Sequence, residues 1–144
     1  MEQKSCVTFQ IYHGEETPVS MYPGLLLFFG LNGNSMLDTV DTNYVLQENE
    51  IYIASPLTLY RVRCKEGAAL LSMAIKPEIV REAGWEDKMT ADCLLPAAQA
   101  DAAAHYAVRQ RMAALFRSLF QAGASSRETD QQAIKLVSAV REIG

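Results

Sequence analysis

Histidine and cysteine are scarce in this chain, and their scarcity excludes most metal chemistry. The 144 residues include two histidines and three cysteines. His13 and His105 fall in no H-x-H, H-E-x-x-H or H-x-x-x-H spacing, and Cys6, Cys64 and Cys93 make no C-x-x-C pair. Neither a zinc site nor a disulfide framework is expected. The thiols read as small buried hydrophobes in a reducing compartment. A Gly-rich phosphate loop and a G-x-S-x-G elbow are missing too. The carboxylates Glu15, Glu16, Glu48, Glu50 and Asp87 fall mostly in turns and read as solvated surface. With no catalytic constellation, the expectation is a protein that is not an enzyme and uses no metal or cofactor.

Positive charge is in deficit as well. Thirteen Lys and Arg against 17 Asp and Glu leave a net charge of -4, whereas gripping a nucleic-acid backbone requires clustered cations. Long apolar runs are absent: the longest, Gly24 to Leu31, falls far below the roughly 20 residues that cross a bilayer. Met1-Glu2-Gln3-Lys4 opens no signal-peptide h-region. A cytoplasmic protein without a membrane partner is expected.

What is present is an ordinary globular composition, 49% hydrophobic and 21% charged, in a length suited to one core with an appendage. Cys6 to Tyr12 alternates Val7, Phe9 and Ile11 with Thr8 and Gln10, as a half-buried strand does. A polar stretch from Gly14 to Pro23 leads into the apolar strand Leu25 to Leu31. Asn32-Gly33 predicts a tight hairpin, because both residues tolerate positive φ. Strands follow at Ser35 to Val40, Tyr44 to Leu46, Ile51 to Ala54, Leu59 to Cys64 and Ala68 to Ile75, with Lys65-Glu66-Gly67 offering another hairpin. About seven short strands joined by tight turns predict a sandwich or barrel.

Beyond Ile75 the period becomes helical. Pro77 and Glu78 suit the start of a short helix ending at Gly84, and Trp85 reads as a packing anchor outside the barrel. Pro96 to Ala122 lacks internal Gly or Pro and stops at Gly123, predicting a long helix. Its stripe Val108, Met112, Leu115 and Leu119, widened by Phe116 and Phe120, must be covered by something; the expectation is a second copy, with the barrel or last helix as alternatives. Ser125 and Glu128 form a possible capping box for a final helix that buries Ala133, Leu136, Val137 and Val140. The short loop makes this helix pair antiparallel.

Seven aromatics lie on or beside strands: Tyr12, Tyr22, Phe28, Phe29, Tyr44, Tyr52 and Tyr60. An inward tyrosine offers a stacking face and a hydroxyl that needs a partner, which suits reading a small molecule. Arg61 and Arg63 share the opposite strand face and are expected toward solvent or a neighbour.

The order of signals across Gly24 to Met73 resembles the N-terminal cupin domain of AraC-type transcription regulators. An apolar strand closes on glycine (Leu25-Leu26-Leu27-Phe28-Phe29-Gly30), then Gln47-Glu48-Asn49-Glu50-Ile51-Tyr52-Ile53-Ala54-Ser55-Pro56 follows, then Leu57-Thr58-Leu59-Tyr60. Leu71 to Ile79 resembles the family's last strand and short helix. Asn49 stands where glycine is expected. Where metal-binding cupins place their ligands, this chain has residues near Ser20, Tyr22, Leu26 and Tyr60, none a good ligand. The resemblance implies a mainly β fold with C-terminal α: a cupin-like double-stranded β-helix (jelly-roll) barrel over 1–95, then two antiparallel helices over 96–144 that dimerise or link. It implies a ligand-sensing and dimerising domain that binds an organic effector through Tyr22, Leu26, Phe28 and Tyr60, and forms a homodimer through Val108, Met112, Leu115 and Leu119. The effector would bias the pose of the N-terminal arm, Met1 to Lys4, or of the helices. DNA would be contacted only through a C-terminal domain outside this chain. A stand-alone cupin binding module and a cupin enzyme are the alternatives.

Overall fold

Side-chain alternation along one long strand decides the layout. The computed structural model describes residues 6–86, 93–95, 102–120 and 126–143. The arm Met1 to Lys4, Asp87, the predicted helix start at Pro96 and the Ser125 cap lie outside the described residues. One eight-stranded antiparallel sheet contains β1 (Val7–Glu16), β2 (Ser20–Met21), β3 (Leu25–Asn32), β4 (Ser35–Thr39), β5 (Asn43–Leu46), β6 (Ile51–Ala54), β7 (Leu59–Ile75) and β8 (Cys93–Leu95). Three helices follow the main strands: α1 (Pro77–Glu82), α2 (Ala102–Phe120) and α3 (Ser126–Ile143).

β7 is the shared spine. Its second half pairs with β1 on one side and β3 on the other; its first half pairs with β4, with β2 and with the end of β1. β6 extends the β3 side toward β8, and β5 extends the β4 side. The sheet curls along β7 into two walls around one interior.

Two predicted hairpins are replaced by this arrangement. Lys65-Glu66-Gly67 does not reverse the chain: β7 runs through it, and β1 follows across a register shift between His13 and Glu15. Gly14 and Gly67 take positive φ there, so both strands bulge together and bend as one. Nor does Asn32-Gly33 join two paired strands. β3 pairs with β6 and β7, β4 with β5 and β7, so the chain crosses from one wall to the other. Long-range partners hold the crossing: Asn32 Nδ2 donates to the Gly67 carbonyl at 3.0 Å, and the Gly33 amide donates to Glu48 Oε1 at 3.1 Å. The turn at Asp41 to Asn43 does close a hairpin, between β4 and β5.

Gly30 has a steric reason. The β5–β6 turn folds over β3 so closely that a Cβ here would lie 2.0 Å from the Gln47 carbonyl oxygen. The Gly30 carbonyl accepts the Asn49 amide, and its own amide donates to the Glu50 carbonyl. Asn49 adopts φ 67°, a left-handed conformation that asparagine tolerates. His105 of α2 donates to the Asn49 carbonyl, pinning the helix to this turn.

The helices cover the outer side of the β1–β7–β3–β6 wall. Leu25 and Leu27 (β3), Ile51 and Ile53 (β6), and Met73 and Ile75 (β7) form one cluster with Val80, Trp85, Val108, Leu115, Leu136 and Val140. Ser118 near the end of α2 touches Thr129 near the start of α3, as in a helical hairpin. Arg141 of α3 donates to the Ala83 carbonyl at the end of α1, beside Gly84, whose φ of 93° is a conformation that favours glycine.

Candidate functional site

The barrel interior is built from the alternate residues of the same strands. Opposite residues of antiparallel strands share a face, so Leu26 and Phe28 (β3), Tyr52 and Ala54 (β6), Leu70 (β7) and Tyr12 (β1) meet inside. Leu37, Leu46, Val62 and Cys64 close the interior from the other wall, and Tyr22, Tyr44 and Tyr60 pack half-buried against it.

Aromatic contacts organise this interior. Phe28 and Tyr60 meet edge to face with ring centroids 5.6 Å apart, and Tyr44 and Tyr52 lie 4.7 Å apart. The Tyr12 hydroxyl is hydrogen-bonded to Ser72. Burial raises the phenols of Tyr12, Tyr22 and Tyr60 above their usual range, and the neighbouring Tyr12 adds to the effect at Tyr60. These hydroxyls stay protonated and can donate as well as accept hydrogen bonds.

Tyr22, Leu26, Phe28 and Tyr60, singled out from sequence, are thus brought into one cluster. Thr8, Gln10 and Ser72 were missed. Thr8 lies opposite Ala74 and Gln10 opposite Ser72, on the inner side with Tyr12, yet both are exposed; the interior is open to water along this edge. Their signal was the alternation of β1, but its apolar members Val7 and Phe9 turn toward the helices, leaving the polar set facing in.

Among the described residues, no group of three or more His, Cys, Asp or Glu side chains could hold a metal. Ser20 Oγ donates to the Pro18 carbonyl and pairs across the strands with Tyr60. Cys6 is not poised as a nucleophile: burial first, then its hydrogen bond with Asp130, pushes its thiol up to about 12.

The helical stripe lies elsewhere. Val108, Met112 and Leu115 are buried and Leu119 is partly buried, covered by this chain's own barrel wall and α3. On the other wall, Arg61 and Arg63 face outward and converge on Asp38, with nitrogens 2.8 and 2.7 Å from its Oδ2. Their hydrogen bonds, that of Arg63 foremost, hold the Asp38 carboxyl below its usual range.

No protein-family model matches the chain, and no curated protein matches it. Solved structures do resemble it. An apo variant of ToxT from Vibrio cholerae superposes with a TM-score of 0.55 at 9% identity, over 96% of this chain and 55% of that one; the chain thus spans just over half of ToxT. A cupin superfamily protein of Desulfitobacterium hafniense gives a TM-score of 0.47 at 16% identity, over 53% of this chain and 72% of that one. A cupin-2 domain protein of Shewanella frigidimarina gives 0.43 at 18%, over 52% and 76%. With its sheet curled about β7 and its helices packed on one wall, the chain has the cupin fold.

Proposed function

We propose that this chain is the effector-binding and dimerising part of a transcription regulator of the AraC type, holding a small organic molecule in the barrel without a metal. One observation carries the reading: an interior of stacking faces and hydroxyls, Tyr12, Tyr22, Phe28, Tyr60 and Ser72, that opens to water at Thr8 and Gln10. Such a lining orients a ligand through ring contacts and hydrogen bonds and supplies no paired acid and base for catalysis. The likeness to ToxT spans 96% of the chain, barrel and helices alike, the same two parts that the sequence resemblance implies.

Coupling follows from β7. Ser72 and Ala74 face the barrel interior, while Met73 and Ile75 between them press on the helices. A ligand that binds one setting of this strand better shifts the helices with it; a ligand indifferent to the setting shifts nothing. DNA is engaged by helix-turn-helix units outside these residues, consistent with the net charge of -4.

Because the stripe of α2 is covered within the chain, the dimer contact falls to its outward residues Tyr106 and Phe120, exposed by 63% and 74%. Native mass spectrometry of protein purified from its source should find a retained small molecule that Tyr60→Ala loses. Sedimentation should find a dimer that Phe120→Glu dissociates without unfolding. A monomer that retains no molecule would overturn the reading.

A further inference from the structure

We infer that the free edge of β1 is a docking site for an extended segment of another protein, one that begins with cationic residues and then alternates apolar with small polar ones. This goes beyond the effector reading, which concerns a small molecule inside the barrel.

Hydrogen-bond parity fixes which backbone groups face outward. The Lys76 amide donates to the Cys6 carbonyl at 3.0 Å, and opposite residues of antiparallel strands alternate between bonded and non-bonded pairs. Thr8, Gln10 and Tyr12, opposite Ala74, Ser72 and Leu70, therefore bond to β7. The other flank of β7 agrees. The Gly30 amide bonds to Glu50, which by the same alternation leaves Leu71, Met73 and Ile75 to β3. The amides and carbonyls of Phe9, Ile11 and His13 point away from β7, where β1 has no second strand among the described residues. None of these groups has a backbone partner there.

Edges that stay free are normally short, or guarded by lysine or proline. The edge strands β2, β5 and β8 run only two, four and three residues. β1 runs ten and contains neither lysine nor proline. The bulge at Gly14 ends its regular part, leaving Val7 to His13 as about 20 Å of pairing edge. Ile11 on the outer side is 61% exposed, while Thr8 and Gln10 on the inner side are exposed and polar. An added strand would lay apolar side chains beside Ile11 and small polar ones beside Thr8 and Gln10, covering the edge at which the interior meets water.

Charge selects the occupant and its direction. Glu15, Glu16 and Glu66 gather at the bulge with Lys65, and Arg63 beside them is committed to Asp38. A second copy would bring a net charge of -4 to this acidic end, whereas a segment that starts with lysines is drawn to it. Antiparallel pairing sets those first residues against the end of β1.

The probe is the acetylated peptide amide Lys-Lys-Val-Thr-Val-Thr-Val, added to the whole chain and followed by residue-resolved amide hydrogen exchange. Without peptide, the Phe9, Ile11 and His13 amides should exchange at least about tenfold faster than those of Thr8, Gln10 and Tyr12. Saturating peptide should slow the first set by at least about tenfold and leave the second unchanged. The valines lie opposite Phe9 and Ile11, so N-methylating them removes the bonding donors and should weaken binding at least about tenfold, as should glutamates in place of the two lysines. Ile11→Pro removes an outward donor and no bond to β7; it should fold and bind the peptide at least about tenfold less tightly. Absence of saturable protection, or equal protection by the N-methylated peptide, overturns the site. So does protection of Phe9, Ile11 and His13 without peptide, which gives the edge to a second copy where dilution abolishes it and to this chain's own residues where it does not. If Ile11→Pro fails to fold, the N-methylated peptide decides. Phe120→Glu should bind the peptide as the native chain does, so loss of the dimer contact or of the interior ligand leaves these outcomes unchanged.

Discussion

The two faces of the β1–β7–β3–β6 wall are made by the same strands and do different work. Outward residues are aliphatic, Leu25, Leu27, Ile51, Ile53, Met73 and Ile75, and close-pack against the helices. Inward residues include Phe28, Tyr52, Tyr12 and Ser72, rings and hydroxyls around a solvent-accessible edge. A wall buried on both sides needs apolar residues at successive positions rather than alternate ones, which is why Leu25 to Phe29 is unbroken. The difference teaches that stability is concentrated on the helical side and recognition on the barrel side. The sharpest way to break this division is Leu115→Ala. Leu115 is fully buried between wall and helices, so denaturant unfolding should show a loss of about 3 kcal/mol. Tyr60→Phe on the inner face should cost well under about 1 kcal/mol while weakening the interior ligand. Equal losses from the two substitutions would erase the distinction.

Tyr12→Phe probes the inner face where stability and recognition overlap. Its hydroxyl pairs with Ser72, which is itself buried, so the change leaves a buried hydroxyl without its partner. The expected cost is about 1 kcal/mol, measured by denaturant unfolding, with no change in m-value because the exposed surface is the same.

Local pattern made the elements legible but not their partners. The strands at Leu25, Ile51 and Ala68 and the short helix from Pro77 that ends before Gly84 follow from alternation, proline and glycine, all local effects. Asn32-Gly33 and Lys65-Glu66-Gly67 carry hairpin chemistry, yet the turn preference of each is overridden by pairing with residues far along the chain. The candidate site was half legible for a related reason. Tyr22, Leu26, Phe28 and Tyr60 stand out as apolar or aromatic, whereas Thr8, Gln10 and Ser72 resemble any solvent face until the register sets them beside Tyr12. The helical stripe on α2 was visible, but periodicity states only that a face is covered, never by what.

Backbone strain offers a smaller test at the barrel's edge. Among the described residues, Asn49 and Leu57 are the non-glycine residues at positive φ, 67° and 70°. Asparagine bears this easily; leucine does not. Leu57 sits in the turn closed by the Thr58 amide on the Ser55 carbonyl, its own amide donating to the carbonyl of Tyr22, a ring of the candidate site. Its side chain is 60% exposed, so removal sacrifices little packing. Leu57→Gly should raise the unfolding free energy by about 0.5–1 kcal/mol, the relief of strain less the added freedom of glycine in the unfolded chain. A destabilised variant would mean that the leucine side chain holds the turn.

The outer face of the opposite wall completes the contrast, because no described helix packs there and an ion trio takes the place of a packed layer. Asp38, Arg61 and Arg63 lie on adjacent strands β4 and β7, with Asp38 directly opposite Arg61. Hydrogen bonds from both arginines depress the folded-state pKa of Asp38 below its ordinary value of 3.8. A depressed carboxyl stabilises the fold above its unfolded pKa, and that contribution disappears as pH falls through the lower, folded value. Stability from this trio is therefore complete at neutral pH and at pH 5, and is lost only below about 3.8. The Asp38 side chain keeps only 10% of its exposure, but its partners Arg61 and Arg63 keep 45% and 31%, so water screens the trio from the arginine side and Asp38→Asn should cost about 1 kcal/mol at pH 7. The decisive readout is the difference in unfolding free energy between native and variant chains across acid pH. That difference should be flat from neutral pH to pH 5 and shrink toward zero in stronger acid. A difference that instead shrinks above pH 5 would show that Asp38 titrates as an ordinary or raised carboxyl, and that the arginines do not hold it.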